Sequence, residues 1–299
     1  MRMKEKLINR EICDIIFDAS LSNYNTYKVG GTCFGIAFPT NIDELKELID
    51  FCKEHSLDFK VIGNGSNLVF SDKYYDMLLI NLKKFDQIDL YEDTVVAQSG
   101  VNLMKLAYRM SRAGLSGLEF ATGIPATVGG AVFMNAGAYN NSISDILVSA
   151  KVLLPSMEIV EYKNSDFDFS YRFSKLQKNR DIICLEATFK LKKGNVDEIM
   201  DLVDNRKMRR VNSQPLEFPS AGSVFRNPST DVFAGKLIED LNLKGYKIGG
   251  AMISDKHANF VINYDSASGD DIKKLIMFTK EKVKEKYDID LKIEQEFVD

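Results

Sequence analysis

Two glycine-rich segments, one arginine, one serine and one glutamate are the parts of this sequence whose types and spacing could do chemistry. The first segment, Gly63-Asn64-Gly65-Ser66-Asn67, follows the strand-like run Phe59-Lys60-Val61-Ile62 and precedes a second apolar run, Leu68-Val69-Phe70. Closely spaced glycines let successive backbone N–H groups turn inward, forming a concavity suited to a pyrophosphate. An ordinary tight turn has the same composition. The loop is not a Walker A loop, because no Gly-Lys-Ser/Thr follows. It is not a dinucleotide fingerprint either, because the third glycine is missing and the next residues read as strand.

The second segment runs Gly123-Ile124-Pro125-Ala126-Thr127-Val128-Gly129-Gly130-Ala131 and continues through Asn135-Ala136-Gly137-Ala138-Tyr139. Small residues there would let a flat ligand approach the backbone, with Thr127 and Asn135 supplying hydrogen bonds. Close packing of two backbone segments would explain the same composition. Two such stretches in one domain favour a nucleotide cofactor, and spacing does not say which.

Three further places in the second half stand out. Arg172, after Tyr171, could hold a carboxylate in fork geometry or form a surface ion pair. Ser223 lies in the polar turn Pro219–Pro228; the segment is not a Gly-x-Ser-x-Gly elbow, so a hydrolase is not indicated, and a capping or turn serine is the ordinary expectation. Glu294 alternates with apolar neighbours near the C-terminus, where a solvated carboxylate is the ordinary expectation. The cluster Arg206-Lys207-Arg209-Arg210 would complement a helix C-terminus or hold a diphosphate. His257 reads as structural.

The elements that must position these residues follow from hydrophobic spacing. Residues 42–55 form an amphipathic helix with Ile42, Leu45, Leu48, Ile49 and Cys52 on one face, and Asn41 with Glu44 resembles a capping box. A second helix fits 103–113, with Leu103, Leu106, Ala107 and Met110 inward and Gly114 as its stop. Strand-like runs extend to Leu191, and Lys192-Lys193-Gly194-Asn195 makes a hinge. Helices then fit 195–209, 234–241 and 269–286, and the alternation from Ile289 to Val298 reads as a strand.

Composition bounds the rest. A length of 299 residues suggests two domains, with a main boundary near 194. A net charge of −4 argues against general nucleic-acid or anionic-membrane binding, leaving room for a local basic pocket. Four cysteines without a Cys-x-x-Cys pair, and only His55 and His257, offer neither a disulfide framework nor a zinc ligand set. The N-terminal residues lack the apolar run of a signal peptide, and no stretch approaches the roughly 20 apolar residues of a membrane span. A reduced, cytoplasmic compartment is the expectation.

Taken in order, these segments resemble the UDP-N-acetylenolpyruvoylglucosamine reductase family, the flavoenzymes that complete UDP-N-acetylmuramate in peptidoglycan synthesis. The resemblance begins at Asn25-Thr26-Tyr27-Lys28-Val29-Gly30-Gly31 and includes both glycine segments and Tyr171-Arg172. It continues through Ser220-Ala221-Gly222-Ser223, Asn227-Pro228, Lys256-His257-Ala258-Asn259-Phe260 and the terminal Leu-x-x-Glu. It implies an α+β fold: a two-lobed FAD-binding domain of the vanillyl-alcohol-oxidase (PCMH) type, then a smaller α+β substrate-binding domain. The domains would be 1–193, with lobes of roughly 1–80 and 81–193, and 194–299.

The resemblance implies roles as well. Non-covalent FAD would be lined by Gly63, Asn64, Gly65, Ser66, Asn67 and Leu68, and by Gly123, Ile124, Pro125, Thr127, Gly129, Gly130, Ala131, Asn135 and Gly137. NADPH would reduce the flavin, and the enolpyruvyl nucleotide-sugar would then receive the hydride. Arg172 would stabilise the enolate-like charge, Ser223 would deliver the proton, and Glu294 would complete the site as a protonated hydrogen-bond donor. Tyr139, Arg210 and Asn227 are candidate substrate contacts. No metal is implied, and a monomer or weak dimer is expected.

Two departures stand out: Ala126 replaces the family's usual glycine, and Ile293 its usual proline. The segment after Arg172 is too short for the extra tyrosine-bearing loop of one subgroup, which places the chain with the loop-less type II subgroup. Competing readings are another non-covalent FAD oxidoreductase of the same fold, or a catalytically silent nucleotide-sugar-binding protein.

Overall fold

Apolar spacing builds seven helices in the structure, a computed structural model that describes residues 3–298. They are α1 Met3–Arg10, α2 Ile42–Glu54, α3 Leu103–Arg112, α4 Val128–Met134, α5 Val196–Ser213, α6 Ala234–Glu239 and α7 Gly269–Tyr287. The expected apolar stripe of α3 is fully buried at Leu103, Leu106, Ala107 and Met110. Each leucine or methionine buried in this way contributes about 1.5–3 kcal/mol. Gly114 follows the helix at φ +73°, a left-handed turn that suits glycine. Asn41 caps α2 by accepting from the Glu44 amide at 3.0 Å. The return bond goes one residue further than in a standard capping box, because the Glu44 carboxylate accepts from the Thr40 amide.

The chain forms two compact units. The first comprises the residues up to Phe17, then Gly35–Asn64 and Asp76–Met208; the second comprises Asp18–Phe34, Gly65–Tyr75 and the residues from Arg209 on. In the first unit an antiparallel five-stranded sheet runs in the order Ile159–Lys163, Leu147–Leu153, Ile183–Lys190, Thr94–Gln98, Ile88–Tyr91. Its buried face, including Val95, Ala97, Ala150, Val152 and Phe189, packs with residues of α3 and α4 in one hydrophobic core. Also here, Asp58–Ile62 pairs in parallel with residues 77–81, delivering the chain to the first glycine loop.

The second unit has its own core. Lys247–Ile248, Ala251–Ile253 and Val261–Asn263 form a three-stranded antiparallel meander. Ile272, Leu275, Ile276 and Val283 of α7 share a core with Ala251, Ile253, Val261, Val69, Val224, Phe225 and Leu291. Leu68–Phe70 runs parallel to Glu296–Val298, in register Leu68 with Glu296, Val69 with Phe297 and Phe70 with Val298.

Three sequence expectations are revised. The continuous boundary after residue 193 differs from the observed division, which also gives residues 18–34 and 65–75 to the second unit. The reason lies in two pairings: Lys192–Lys193 pairs with Leu115–Ser116, keeping the expected hinge in the first unit, while Leu68–Phe70 pairs with Glu296–Val298 in the second. The expected strand Ile289–Val298 is a strand only at Glu296–Val298, preceded by an isolated bridge between Ile293 and Phe225. The second glycine segment contains α4, which composition alone concealed.

Gly269 opens α7, and its amide donates to Asp72 Oδ2 at 2.8 Å. A Cβ at this position would collide with the Phe70 carbonyl oxygen, so only glycine lets the helix start sit on the 68–70 strand. Gly269→Ala should lower the unfolding free energy by about 1–3 kcal/mol. Denaturant titration measures this, and an unchanged midpoint would mean that the helix start can move off the strand.

Candidate functional site

In the first unit the two glycine segments meet. A Cβ on Gly63 would lie 2.5 Å from Thr127 Oγ1, Asn64 Nδ2 donates to the Pro125 carbonyl at 2.8 Å, and Asn81 Nδ2 holds the Gly63 carbonyl at 3.1 Å. Thr127 is the N-cap of α4, its Oγ1 accepting from the Gly130 amide at 3.3 Å. The Gly129 amide donates to the Ser99 carbonyl at 2.9 Å, and a Cβ at Gly129 would come within 2.8 Å of Ser99 Cβ. A Cβ at Gly137 would meet the Asn141 carbonyl. Gly63 therefore permits close approach of the Thr127 side chain, and Gly129 and Gly137 close approach of Ser99 and of the Asn141 backbone.

Several of the residues expected to line the cofactor also bond or pack within the protein. Asn135 is buried at φ +44°, its Nδ2 donating to the Ser170 carbonyl and its Oδ1 accepting from the Ser144 amide. Ala131 is wholly inside the core. Gly123, Ile124, Pro125, Thr127, Gly129 and Gly130 remain partly exposed. Ala126 causes no strain: its φ is not positive, and its amide and carbonyl bond to Ile124 and Leu103. Among the described residues, the amides of Asn64 and Thr127 donate to no protein acceptor, and the buried Ser99 Oγ has no partner.

Arg172 sits on a four-residue turn closed by paired bonds between Ser170 and Phe173. Its φ is +55°, a conformation costing a non-glycine residue on the order of 1 kcal/mol. The turn is braced by Asn135 on the Ser170 carbonyl and by Gln177 Nε2, which donates to the Arg172 carbonyl at 3.1 Å. Arg172 Nη2 donates to the Gly137 carbonyl at 2.6 Å, tying the guanidinium to the second glycine segment. Tyr139, also at positive φ, donates to the Arg206 carbonyl at 3.1 Å while the Arg206 guanidinium lies 4.8 Å from its ring centroid.

The second unit brings Ser223 and Glu294 onto paired segments. The Arg226 amide donates to the Lys292 carbonyl at 2.9 Å, and the Glu294 amide to the Val224 carbonyl at 2.8 Å. These flanking bonds leave the Ile293 amide outside the ladder, so isoleucine serves where the family usually has proline. Asn67 Nδ2 donates to the Glu294 carbonyl at 3.0 Å, and the Glu296 amide donates to the Asn67 carbonyl at 2.8 Å. Gly65, at φ +64°, packs so closely on Tyr24 and Asn25 that a Cβ would strike the Tyr24 carbonyl. Leu68 begins the paired strand, and Ser66 is partly exposed beside it. Arg210 is half-buried near the end of α5, and Asn227 Oδ1 accepts from the Ala234 amide at 3.1 Å, a bond that starts α6.

Two polar residues here carry more of the architecture than their sequence context suggested. Asn259 clamps Phe225 from both sides, accepting from its amide at 3.0 Å and donating to its carbonyl at 2.8 Å. Gln295 Nε2 donates into the turn before Ser223. A readable signal existed for Gln295: it occupies the apolar face of the 289–298 alternation, where a polar side chain must find buried partners. His257 Nδ1 accepts from the Asn259 amide at 3.2 Å, and burial holds its pKa below the ordinary value, so it is a neutral turn residue. Burial also raises the thiol pKa values, to about 11 at Cys13 and about 12 at Cys52 and Cys184.

Comparison with known proteins accounts for both units. Residues 35–163 match the FAD binding domain family, and residues 214–298 match the C-terminal domain family of UDP-N-acetylenolpyruvoylglucosamine reductase. The chain is 42% identical to that reductase of Caldicellulosiruptor saccharolyticus over 287 residues, covering 95% of this chain and 92% of the relative. Identity to the Bacillus subtilis reductase is 41% over 295 residues, covering 98% and 97%. The crystal structure of the Thermus caldophilus enzyme matches with a TM-score of 0.81 at 32% identity, covering 96% of this chain and 98% of that one. The expected α+β class, an FAD-binding domain followed by a smaller C-terminal domain, is borne out. With similarity of this degree along nearly its whole length, and with the matched domains containing the Gly63–Thr127 approach and the Ser223–Glu294 segments, the chain belongs to the UDP-N-acetylenolpyruvoylglucosamine reductase family.

Proposed function

We propose that the protein reduces the enolpyruvyl group of UDP-N-acetylglucosamine enolpyruvate to give UDP-N-acetylmuramate, with NADPH as reductant and non-covalent FAD as carrier, in peptidoglycan synthesis. The observation that carries this reading is the bridge joining residues 224–226 to 292–294, which fixes the backbones of Ser223 and Glu294 against each other. When bound, FAD supplies the hydride that the enolpyruvyl double bond accepts. The chain's own residues fit that cofactor: partly exposed glycines beside the Thr127 cap, open amides at Asn64 and Thr127, and the unpartnered Ser99 Oγ offer small steric bulk and hydrogen-bond donors. Both imidazoles are engaged in the protein, His55 stacked on Phe51 and His257 in its turn, which supports non-covalent attachment.

The substrate's carboxylate takes on negative charge as hydride adds to the neighbouring vinyl carbon. The braced Arg172 guanidinium stabilises that charge electrostatically, an interaction that strengthens as the charge develops. Ser223 donates a proton to the other carbon of the former double bond, and Glu294 completes the site as a hydrogen-bond donor. Arg210, Asn227 and Tyr139 are the candidate nucleotide-sugar contacts. No described helix is long and apolar enough to cross a membrane; the reading takes the protein as a cytoplasmic monomer or weak dimer.

An anaerobic visible spectrum tests the whole reading. The flavin band should bleach with NADPH and return with UDP-N-acetylglucosamine enolpyruvate. A flavin that bleaches without returning would point to a different oxidant. Ser223→Ala should keep FAD and its reduction by NADPH, while product formation falls on the order of 10²- to 10⁴-fold; normal turnover would remove Ser223 as proton donor. Gly63→Ala should press on the Thr127 cap and lower the flavin-to-protein absorbance ratio after gel filtration. Full retention of flavin would show that this approach is unimportant for the cofactor.

A further inference from the structure

The turn that carries Ser223 is clasped from inside the protein by a single amide. Gln295 is 4% exposed and Tyr27 is fully buried. Gln295 Nε2 lies 3.1 Å from the Ala221 carbonyl, 3.2 Å from that of Gly222 and 3.5 Å from that of Ser223 itself. Its Oε1 accepts from the Tyr27 hydroxyl at 3.0 Å. Gly222 has φ +74°, and a Cβ there would meet nothing within 4 Å. Glycine is therefore required for its backbone conformation, which turns three successive carbonyls toward one donor.

A primary amide has two different ends, and only one of them can serve these carbonyls. The three carbonyls settle which, because they can only accept: the N–H end faces them, Oε1 faces Tyr27, and the phenol's proton goes to Oε1. With its oxygen thus occupied, Gln295 presents its N–H groups to residues 221–223. Burial pushes the Tyr27 pKa well above its ordinary value, so the hydroxyl stays a donor throughout the working pH range. On the other side of Ser223, Asn259 holds Val224 and Phe225 through its carbonyl and side chain. Ser223 is thus suspended between two buried amide side chains, and Gln295 grips the half of the turn that Asn259 does not reach.

We propose that Gln295, oriented by Tyr27, is a positioning residue that sets the location of the Ser223 hydroxyl. This rests on the reading of Ser223 as the proton donor. A donor displaced by about 1 Å loses on the order of 10²-fold in rate, and without their shared donor the three carbonyls are no longer held together. Gln295 is adjacent to Glu294 in sequence, yet its side chain serves the facing segment.

Three variants of the FAD-loaded protein test the role, read by NADPH reduction of the flavin and by product formation in a single turnover of the reduced enzyme. Gln295→Met keeps length and removes the donor. Flavin reduction should be unchanged and product formation should fall on the order of 10²-fold. Gln295→Glu keeps a donor only while its carboxyl is protonated; once ionised, it presents acceptors alone to three carbonyl oxygens. Its product formation should be greatest, relative to the parent, at low pH and fall as the carboxyl ionises, adding a limb that the parent profile lacks. Tyr27→Phe removes only the orienting hydroxyl and should give the same selectivity with a smaller loss.

A double-mutant cycle separates positioning from general weakening. Adding Gln295→Met to Ser223→Ala should cause no further loss, because the placement of a missing hydroxyl has no consequence. Losses that multiply in the double variant, or a Gln295→Glu profile parallel to the parent's, overturn the positioning role. Should Gln295→Met fail to fold, the Gln295→Glu profile and Tyr27→Phe decide by the same criteria. A Ser223→Ala protein with normal turnover instead overturns the proton-donor reading itself, an outcome distinct from normal turnover in the Gln295 variants alone.

Discussion

The parallel pairing of Leu68–Phe70 with Glu296–Val298 is the constraint from which the second unit takes its form. The register places Asn67 opposite the backbone of residues 294–296, where its amide side chain holds the Glu294 carbonyl and its own carbonyl receives the Glu296 amide. From Glu294 the order passes by backbone bonding to Val224 and the Ser223 turn. The same strand receives the start of α7 on the Phe70 carbonyl, through Gly269. Val69, buried in the shared core with Leu275 and Ile276, adds the hydrophobic contribution that keeps a three-residue pairing in place. A strand that short has little stability alone; it persists because both of its faces are covered.

The glycines of the two conspicuous loops have a different use from the one their composition first suggests. Gly63, Gly129 and Gly137 each face another part of the protein so closely that a side chain would not fit. They let Gly63 lie against the Thr127 cap, Gly129 against Ser99 and Gly137 against the backbone of residues 141–142. Asn135, at positive φ, works with them: one side chain links the Ser144 amide to the Ser170 carbonyl. The open donors are fewer and less conspicuous, the amides of Asn64 and Thr127 and the hydroxyl of Ser99. On the proposed reading, close packing of these segments creates the surface to which the cofactor would come.

Local pattern made the helices legible. The stripes of α2 and α3, the Asn41 cap and the Gly114 stop are all short-range effects, and each stands in the structure where its spacing put it. Helix α4 was hidden because Val128-Gly129-Gly130 is poor helix-forming sequence; the Thr127 cap and burial of Val128, Ala131 and Val132 supply what propensity does not. The division into units was illegible for a topological reason, because nothing in residues 65–75 announces a partner more than two hundred positions away. Arg172, Ser223 and Glu294 became candidates through resemblance, since a turn serine and an exposed-looking glutamate have no distinguishing local signature. Gln295 was legible in principle, as a polar residue on the buried side of an alternation.

The distance along the chain between paired strands has a bearing on how the protein comes into being. Tyr75 hydrogen-bonds the Val298 carbonyl across 223 residues of sequence. At roughly 5–20 residues per second of synthesis, that interval lasts roughly 10–45 s. Throughout it the apolar edge at Leu68–Phe70 lacks its partner, while the five-stranded sheet of the first unit has its last strand once Lys190 is made, about midway through. The first unit can be a finished object when the second is still an unpaired strand, so the two halves of this enzyme are born at different times.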